Sequence, residues 1–350
     1  MAVATIKDVA ARARVSVMTV SRVLNDERYV SDDKRERVLA AVAELDFRRN
    51  RSARGLPGSR TYVVALVVGY VPGYTAAVEW GAIHECRRKD YHLAVVSPDP
   101  EIADTGQAIQ ALLATRRADG LILLPPLAND EGVLGMLEAS GHPYVRVAPD
   151  DQLDRAPSVR IDERAAAAEL VEHLLDLGHQ RIGFVRGPAN HGGSARRYRG
   201  YALALSERGL EVDEGLVRQG DFSFASGMAA GQSLLGMDRR PTAIFASNDA
   251  MALGVVSAAS RAGLAVPHQI AVAGFDDTEA ARQTWPMLTT IRQPLAAMGE
   301  AAAELLIARA GRLGAAPPFE ARLLRYELIV RGSTLDAASP GAAVEPRTIS

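Results

Sequence analysis

The chain has 350 residues, of which 48% are hydrophobic and 23% charged, so it is long enough to bury cores in more than one domain. It contains no run approaching the ~18 consecutive apolar residues of a membrane-spanning helix, and its N-terminus lacks the charged-then-apolar pattern of an export signal. We therefore expect a cytoplasmic protein. Its single cysteine, Cys86, excludes an intramolecular disulfide framework and a cysteine-rich zinc site.

The net charge of −2 conceals an uneven distribution of charged residues along the chain. Residues 1–60 contain 13 Lys and Arg against 8 Asp and Glu, a net of +5, whereas the remaining residues carry a net of −7. A basic segment attached to an acidic body is typical of a nucleic-acid-binding domain joined to a domain with another role. Charge alone leaves open the alternative of a solvated surface with a modest bias.

The first 45 residues show a helical spacing of apolar side chains and predict three short helices. Each helix follows a residue whose side chain can cap a helix N-terminus: Thr5, Ser16 and Ser31. The first helix is predicted over 6–12, with Asp8 near its positive end, and the second buries Val20 and Val23. Two short helices joined by a few residues and supported by a third predict a helix-turn-helix.

Residues 48–59 are basic and small, and they predict a linker that forms a short helix only with external support. From residue 61 the pattern changes to apolar strands that alternate with amphipathic helices. The predicted strands cover 62–68, 91–97, 120–124, 144–147, 181–185, 243–246 and 270–275. The predicted helices include 75–89, 162–177 and 249–262. Such alternation predicts parallel sheets with helices on both faces.

The second half of this region repeats the order of elements in the first, since 62–97 resembles 181–212 and 119–147 resembles 242–275. This similarity predicts two lobes of like construction. A cleft between them, at the carboxyl ends of the strands, is where small ligands bind in such folds. The composition of residues 336–350, rich in Ala, Pro and Gly, predicts a disordered tail.

Sequence signatures of catalysis and of cofactor binding are missing. There is no G-x-G-x-x-G after a strand, no G-x-x-x-x-G-K-[ST] and no G-x-S-x-G, and the seven histidines lack metal-ligand spacing. We therefore expect no cofactor, no metal and no enzymatic activity. The adjacent carboxylates Asp276 and Asp277 could indicate acid–base catalysis, but a strand-end Asp that caps the next helix is an equal alternative.

Several short motifs, taken in chain order, resemble those of one protein family. In the first 56 residues they are TIKDVAARARVSVMTVSRVLN at 5–25, VS at 30–31, AELDF at 43–47 and NRSARGL at 50–56. In the body they are LGHQRIG at 177–183, RYRGY at 197–201, FASNDAMALG at 245–254, VAGFDD at 272–277 and LTTIRQP at 288–294. These motifs closely resemble, in the same order, the headpiece, hinge helix and body of the lac repressor (LacI/GalR) family, to about residue 332.

The resemblance implies a small all-α helix-turn-helix headpiece followed by an α/β body of two doubly wound parallel sheets, like a type I periplasmic binding protein. We expect the headpiece over 1–48, a hinge helix or linker over 49–60, a two-lobed effector-binding and dimerisation domain over 61–335, and the tail over 336–350. Two positions depart from the family pattern. Arg14 replaces the usual turn glycine, so the turn must avoid a positive φ or tolerate it at a cost of about 1 kcal/mol. Arg49 replaces the proline that precedes the hinge.

The second predicted helix carries side chains suited to reading DNA. Residues early on such a helix face base edges in the major groove, where Val17 and Met18 offer apolar contacts and Arg22 can bond guanine. The alternative is that Val17 and Met18 are core residues, but Val20 and Val23 already supply a buried stripe. The residues assigned to DNA binding are Thr5, Ser16, Val17, Met18, Thr19, Ser21, Arg22, Asn25, Ser31, Asn50, Ala53 and Leu56.

By resemblance, Leu56 has a specific role. Paired hinge helices of the family enter the minor groove, and this leucine wedges between base pairs and bends the duplex. The alternative is a leucine that begins the packing of the body.

The family's effector contacts map onto Arg197, Phe222, Asn248 and Asp276, whose guanidinium, aromatic ring, amide and carboxylate suit a polar ligand. Each has an alternative role: Arg197 in a solvated basic face, Phe222 in the core, and Asn248 and Asp276 as helix caps. Ala148 stands where some sugar-responsive members carry an Asp, so the effector cannot be copied from them.

We therefore expect a homodimeric transcriptional repressor that binds a pseudo-palindromic double-stranded operator and responds to a small polar effector, a sugar or sugar derivative. A nucleobase-like co-repressor is the alternative ligand. A transporter's solute-binding protein would share the body but lack the basic headpiece, and a sugar-modifying enzyme would need catalytic groups that the sequence does not show. The tail lacks a leucine heptad, so a tetramer formed through it is not expected.

Overall fold

The computed structural model describes residues 4–24, 30–45, 47, 60–69, 72–97, 105–114, 118–310 and 320–335. The chain forms two compact units, Met1–Thr61 and Tyr62–Ser350, called here the headpiece and the body. The predictions made for Asn25, Asn50, Ala53, Leu56, most of the linker and the tail lie outside the described residues.

The headpiece contains the three predicted helices, α1 (Ile6–Ala13), α2 (Val17–Leu24) and α3 (Asp32–Glu44). Thr5 caps α1 in a reciprocal capping box, because its Oγ1 accepts from the N–H of Asp8 at 3.4 Å while Asp8 accepts from the N–H of Thr5 at 2.7 Å. Ser16 caps α2, where its Oγ accepts from the N–H of Thr19 at 3.1 Å. The three helices bury a small core of Val9, Ala10, Ala13, Val20, Val23, Val38 and Ala41.

The predicted cap of α3 is only partly right. Ser31 occupies the N-cap position, but its side chain makes no capping hydrogen bond. Asp32 and Asp33 in the first turn of α3 supply negative charge at the positive end of the helix instead. Arg14 ends α1 in the left-handed conformation, with φ of 55° and ψ of 47°, so the turn tolerates the positive φ that a glycine would adopt without strain.

The body contains two sheets of similar design, each with six described strands. The first sheet, in lobe 1, has the order β11-β5-β4-β3-β1-β2 and consists of β1 (Val63–Val67), β2 (His92–Val96), β3 (Gly120–Leu123), β4 (Tyr144–Val147), β5 (Ser158–Arg160) and β11 (Ala321–Leu323). The second, in lobe 2, has the order β12-β10-β9-β8-β6-β7 and consists of β6 (Ile182–Arg186), β7 (Val217–Gln219), β8 (Ala243–Ala246), β9 (Ala271–Asp276), β10 (Thr289–Arg292) and β12 (Glu327–Ile329).

Neighbouring strands are parallel except for the antiparallel pair of β10 and β12. The helices of lobe 1 are α4 (Pro72–Arg88), α5 (Thr105–Ala114), α6 (Glu131–Ser140) and α12 (Leu295–Ala310). The helices of lobe 2 are α7 (Glu163–Asp176), α8 (Gly192–Glu207), α9 (Phe224–Leu235), α10 (Asp249–Arg261) and α11 (Glu279–Gln283). The fold predicted from the sequence, two parallel α/β lobes after an all-α headpiece, is therefore confirmed apart from the one antiparallel pair.

All seven predicted strands are present, and each end agrees with the prediction to within one residue. The matching strand orders of the two sheets also confirm the internal repeat. The sequence did not predict β5, β7, β10, β11 and β12: four of these strands span three residues each, and the four residues of β10 are not a continuous apolar run.

The chain passes between the lobes at three places: between β5 and α7, between β10 and α12, and between β11 and β12. These crossings bring the carboxyl ends of strands from both sheets to one cleft. Among the described residues, no helix is long and apolar enough to cross a membrane.

Candidate functional site

A cavity of the body, partly open to solvent, lies in the cleft between the lobes. Its walls come from segments that follow the strands of both sheets, the expected place for a ligand in folds of this class. The lining residues are Tyr74, Thr75, Pro125, Ala148, Glu163, His191, Arg197, Phe222, Asn248 and Asp276. The four predicted effector contacts thus lie around one cavity.

Arg197, on α8, is part of the cavity wall and is only 3% exposed. Its guanidinium donates from Nη1 to the backbone carbonyl of Ser247 and from Nη2 to Oε1 of Glu163 at 3.0 Å. The ring of Phe275 lies under it, 3.9 Å from the guanidinium carbon to the ring centroid. The alternative role of Arg197 in a solvated basic face is therefore wrong.

Glu163, the first residue of α7, is a buried carboxylate held between two arginines. Arg196 donates to its Oε2 from Nε at 3.0 Å, and Arg197 donates to its Oε1. Burial acts to raise the pKa of Glu163, but attraction to Arg197 and Arg196 outweighs burial and brings the pKa down to about 2. Glu163 is therefore ionised at neutral pH and fixes the orientation of Arg197.

Asp276, at the end of β9, is a second buried carboxyl in the cavity wall. It accepts a hydrogen bond from Nε2 of Gln293 at 2.7 Å and lies 3.7 Å from Nη2 of Arg197. Burial raises its pKa to about 6, although Arg197 and the hydrogen bond from Gln293 favour the ionised form. The alternative that Asp276 caps the next helix is wrong, since the N-cap position of α11 is Thr278.

Phe222 and Asn248 line the cavity, as predicted, and each also has a structural role. Phe222 is 8% exposed, packs within the core of lobe 2 and meets the ring of His191 edge to face at 4.9 Å. Asn248 caps α10 by accepting from the N–H of Met251 at 3.0 Å, and its Nδ2 donates to the carbonyl of Phe222 at 3.1 Å. Both alternatives given for these residues, core and helix cap, therefore hold alongside their place in the cavity wall.

Three residues of the cavity wall have a positive φ: Ala148 at 47°, Phe222 at 69° and Asp276 at 115°. These conformations are strained for residues with a β-carbon, and such strain gathers at ligand-binding sites. The surrounding fold therefore holds these three residues in strained backbone conformations without a bound ligand.

Three polar atoms in the cavity wall are buried and have no hydrogen-bond partner within the described part of the chain. They are the hydroxyl of Tyr74, Nδ1 of His191 and Nε of Arg197. Burial and the charge of Arg197 lower the pKa of His191 to about 4, so its ring is neutral at pH 7 and offers one donor and one acceptor. Buried polar groups in folded proteins are nearly always paired, so these atoms are positioned to bond a water molecule or a polar ligand in the cavity.

Sequence reasoning did not identify Tyr74, Thr75, Pro125, Glu163 and His191 as lining residues. Tyr74 and Thr75 lie near the start of α4, Pro125 follows β3, and His191 is the N-cap of α8. The rule that sites gather beyond strand ends would have pointed to these segments, but not to which side chain faces inward.

In the headpiece, the start of α2 is available for contact. Val17 is 42% exposed and Met18 65%, whereas Val20 is fully buried and Val23 is 4% exposed, so the alternative that Val17 and Met18 are core residues is wrong. Of the other described residues assigned to DNA binding, the exposed ones are Thr5, Ser16, Arg22 and Ser31, and the half-buried ones are Thr19 and Ser21.

A helix-turn-helix unit and a two-lobed body with a polar cavity define a class of DNA-binding proteins that carry an effector-binding domain. Residues 5–50 match the description "Bacterial regulatory proteins, lacI family", and residues 171–334 match a periplasmic binding protein-like domain. The transcriptional repressor PurR of Klebsiella pneumoniae is 36% identical over 311 residues, which are 87% of this chain and 90% of that protein. This chain therefore belongs to the lacI family of bacterial regulatory proteins.

Two solved structures show the same architecture. A lac repressor dimer bound to operator and the anti-inducer ONPF has a TM-score of 0.80 at 29% identity, covering 95% of this chain and 99% of that one. A complex of the transcriptional regulator CelR with cellobiose has a TM-score of 0.73 at 32% identity, and the match covers 94% of this chain and 99% of that one.

Proposed function

We propose that this protein is a homodimeric transcriptional repressor whose affinity for a pseudo-palindromic operator is set by a small polar effector bound in the cleft. The observation that carries the proposal is the convergence of three unpaired buried polar atoms, from Tyr74, His191 and Arg197, on one cavity in a chain that also has a helix-turn-helix. Because the cavity lies between two lobes, a ligand that prefers one closure of the cleft shifts the body toward that state.

We propose a sugar or sugar derivative as the effector. A sugar presents several neutral hydroxyls, each able to donate and to accept, and its apolar face stacks on an aromatic ring such as Phe222. The cellobiose complex of the related regulator CelR supports this class. A nucleobase-like co-repressor is the alternative, since it also uses an aromatic plane and a carboxyl group such as Asp276.

For the DNA side, exposed Val17 and Met18 suit apolar contacts in the major groove, and the basic headpiece suits the phosphates. A symmetric operator requires two headpieces, so we propose that the body dimerises. Exposed apolar side chains support dimerisation: Trp285 is 85% exposed, Trp80 67% and Met287 42%. A protein that reads chromosomal DNA works in the cytoplasm.

The effector is tested by a thermal-shift screen of neutral sugars and nucleobases on the full chain, followed by calorimetry of each hit with the parent protein and Phe222→Ala. We expect a sugar to raise the melting temperature and to lose affinity in the variant. Stabilisation by nucleobases alone would favour the alternative ligand. Equal binding by Phe222→Ala would place the ligand elsewhere.

A further inference from the structure

Five charged side chains form a continuous row along the cleft, with alternating signs: Asp150, Arg196, Glu163, Arg197 and Asp276. Nη1 of Arg196 lies 3.2 Å from Oδ1 of Asp150, and its Nε lies 3.0 Å from Oε2 of Glu163. On the other side, Nη2 of Arg197 lies 3.0 Å from Glu163 and 3.7 Å from Asp276. Each inner member of the row therefore touches two groups of opposite charge.

The row crosses from one lobe to the other at a single step. Asp150 lies in the segment between β4 and β5 of lobe 1, whereas Arg196 and Arg197 lie on α8 of lobe 2, against which α7 packs. Arg196 also donates to two lobe 1 carbonyls, from Nη1 to that of Pro149 at 2.8 Å and from Nη2 to that of Ala148 at 3.3 Å. One side chain of lobe 2 thus holds three groups of a lobe 1 segment.

Two consecutive glycines at the start of α8 allow two carboxylates to approach its backbone. A β-carbon on Gly192 would overlap the carboxylate of Asp150, and a β-carbon on Gly193 would lie 2.9 Å from Oε2 of Glu163. Both carboxylates therefore lie against the first turn of α8, where the exposed N–H groups of a helix favour negative charge. Gly192 therefore allows the contact of α8 with lobe 1, and Gly193 allows its contact with α7 within lobe 2.

Arg196 is not among the residues that line the cavity, yet it binds the carboxylate that orients the cavity arginine. We propose that Arg196 is a positioning residue that latches the cleft closed and reports the closure to Arg197 through Glu163. Separation of the lobes removes the contacts of Arg196 with Asp150, Pro149 and Ala148. Glu163 then keeps both of its partners, Arg196 and Arg197, within lobe 2. Because Arg196 is no longer held by lobe 1, its hydrogen bond to Glu163 changes relative to that of Arg197.

The latch rests on the proposed function, because it stabilises the closed state of the cleft in which we propose that the effector binds. It is tested without effector or DNA, so its failure is distinct from failure of the proposed function. The measurement is a distance distribution from pulsed electron paramagnetic resonance on the full chain, with labels at Ala139→Cys on α6 and Ser260→Cys on α10. Both positions are exposed, and the native Cys86 is buried.

The labelled parent is compared with Arg196→Met, which keeps the apolar stem of the side chain and removes the guanidinium, and with Asp150→Asn, which keeps its shape. Arg199→Met is the matched control, since Arg199 is an exposed arginine on the same helix. We expect both latch variants to lose the parent distance in favour of a second population, and the control to keep it. The double variant, with both Arg196→Met and Asp150→Asn, should lose no more of the population at the parent distance than the more affected single variant, because both changes break the same contact.

Superimposable distance distributions for the parent, Arg196→Met and Asp150→Asn would overturn the latch. A shift in Arg199→Met as large as in Arg196→Met would also overturn it, because the effect would then follow from the loss of any charge on α8.

Discussion

Gln293 donates a hydrogen bond to the carboxyl of Asp276 at 2.7 Å, although the two residues lie on segments with different tasks. Asp276 ends β9 within lobe 2, whereas Gln293 follows β10 where the chain crosses to lobe 1. A group in the cavity wall is thereby bonded to one of the three segments that join the lobes. Asp276 therefore contacts both the cavity and a connection between the lobes.

The hydroxyl of Tyr74 tests whether the unpaired polar atoms are ligand contacts. Because this hydroxyl is buried without a partner, Tyr74→Phe should stabilise the free protein by up to about 1 kcal/mol. The same change should weaken binding of a sugar identified by thermal shift by about tenfold. The control is Tyr201→Phe, whose hydroxyl donates to the carbonyl of Ile182 at 2.9 Å and whose loss should cost about 1 kcal/mol without affecting the ligand. Unchanged affinity in Tyr74→Phe would remove this residue from the site.

The pKa of Asp276 predicts a dependence of stability on pH. Burial raises this pKa from 3.8 to about 6 in the folded protein, so its contribution to stability is fully present below pH 3.8 and is lost as the pH rises through 6. Relative to Asp276→Asn, which keeps the acceptor for Gln293, the parent should lose about 2 kcal/mol between pH 4 and pH 7. Guanidinium denaturation of both proteins across this range measures the difference. Parallel curves would show that Asp276 does not titrate there.

The turn of the headpiece predicts a stabilising substitution. Arg14 has a φ of 55°, which costs a residue with a β-carbon about 1 kcal/mol relative to glycine. Arg14→Gly should therefore increase the protection of α1 amides in hydrogen exchange, by a free energy of about 0.5–1 kcal/mol. Arg14→Ala, which keeps the β-carbon, should give no such gain. Equal protection in both variants would mean that the charge or length of Arg14 matters, and not the backbone.

Met18 tests the assignment of base contacts to α2. Because Met18 is 65% exposed, Met18→Ala should change the free energy of unfolding by less than about 0.5 kcal/mol while altering the DNA sequence that the protein selects from a random library. Val20→Ala, two residues along the same helix at a buried position, should instead cost on the order of 2 kcal/mol. An unchanged selected sequence with Met18→Ala would show that this side chain reads no base.

The sequence predicts those elements of the fold that carry an apolar pattern of their own. Strands such as β1 and β8 are continuous apolar runs, and α1 shows both its apolar stripe and its reciprocal cap at Thr5 and Asp8. The strands β5, β7 and β11 carry no such signal. Each spans only three residues and is a strand because its backbone pairs with a parallel neighbour. Tertiary pairing, which local pattern does not encode, creates these elements.

The cavity shows a similar division. Family motifs pointed to Arg197, Phe222, Asn248 and Asp276, and the structure brings all four around one cavity. Glu163 gave no signal, because it begins an alanine-rich helix and reads as an ordinary first-turn acid. Its role depends on the approach of α8, and only the fold shows that Glu163 lies between Arg196 and Arg197.

The central claim, that this chain is an effector-controlled reader of DNA, is tested most directly by selection of double-stranded DNA from a random library by the full chain. The enriched sequence is then titrated by fluorescence anisotropy at several salt concentrations, with and without the sugar found by thermal shift. We expect enrichment of a pseudo-palindrome, an affinity that falls steeply with salt, and a change in that affinity when the sugar is added. No enriched sequence, or an affinity that the sugar leaves unchanged at saturation, would contradict the account.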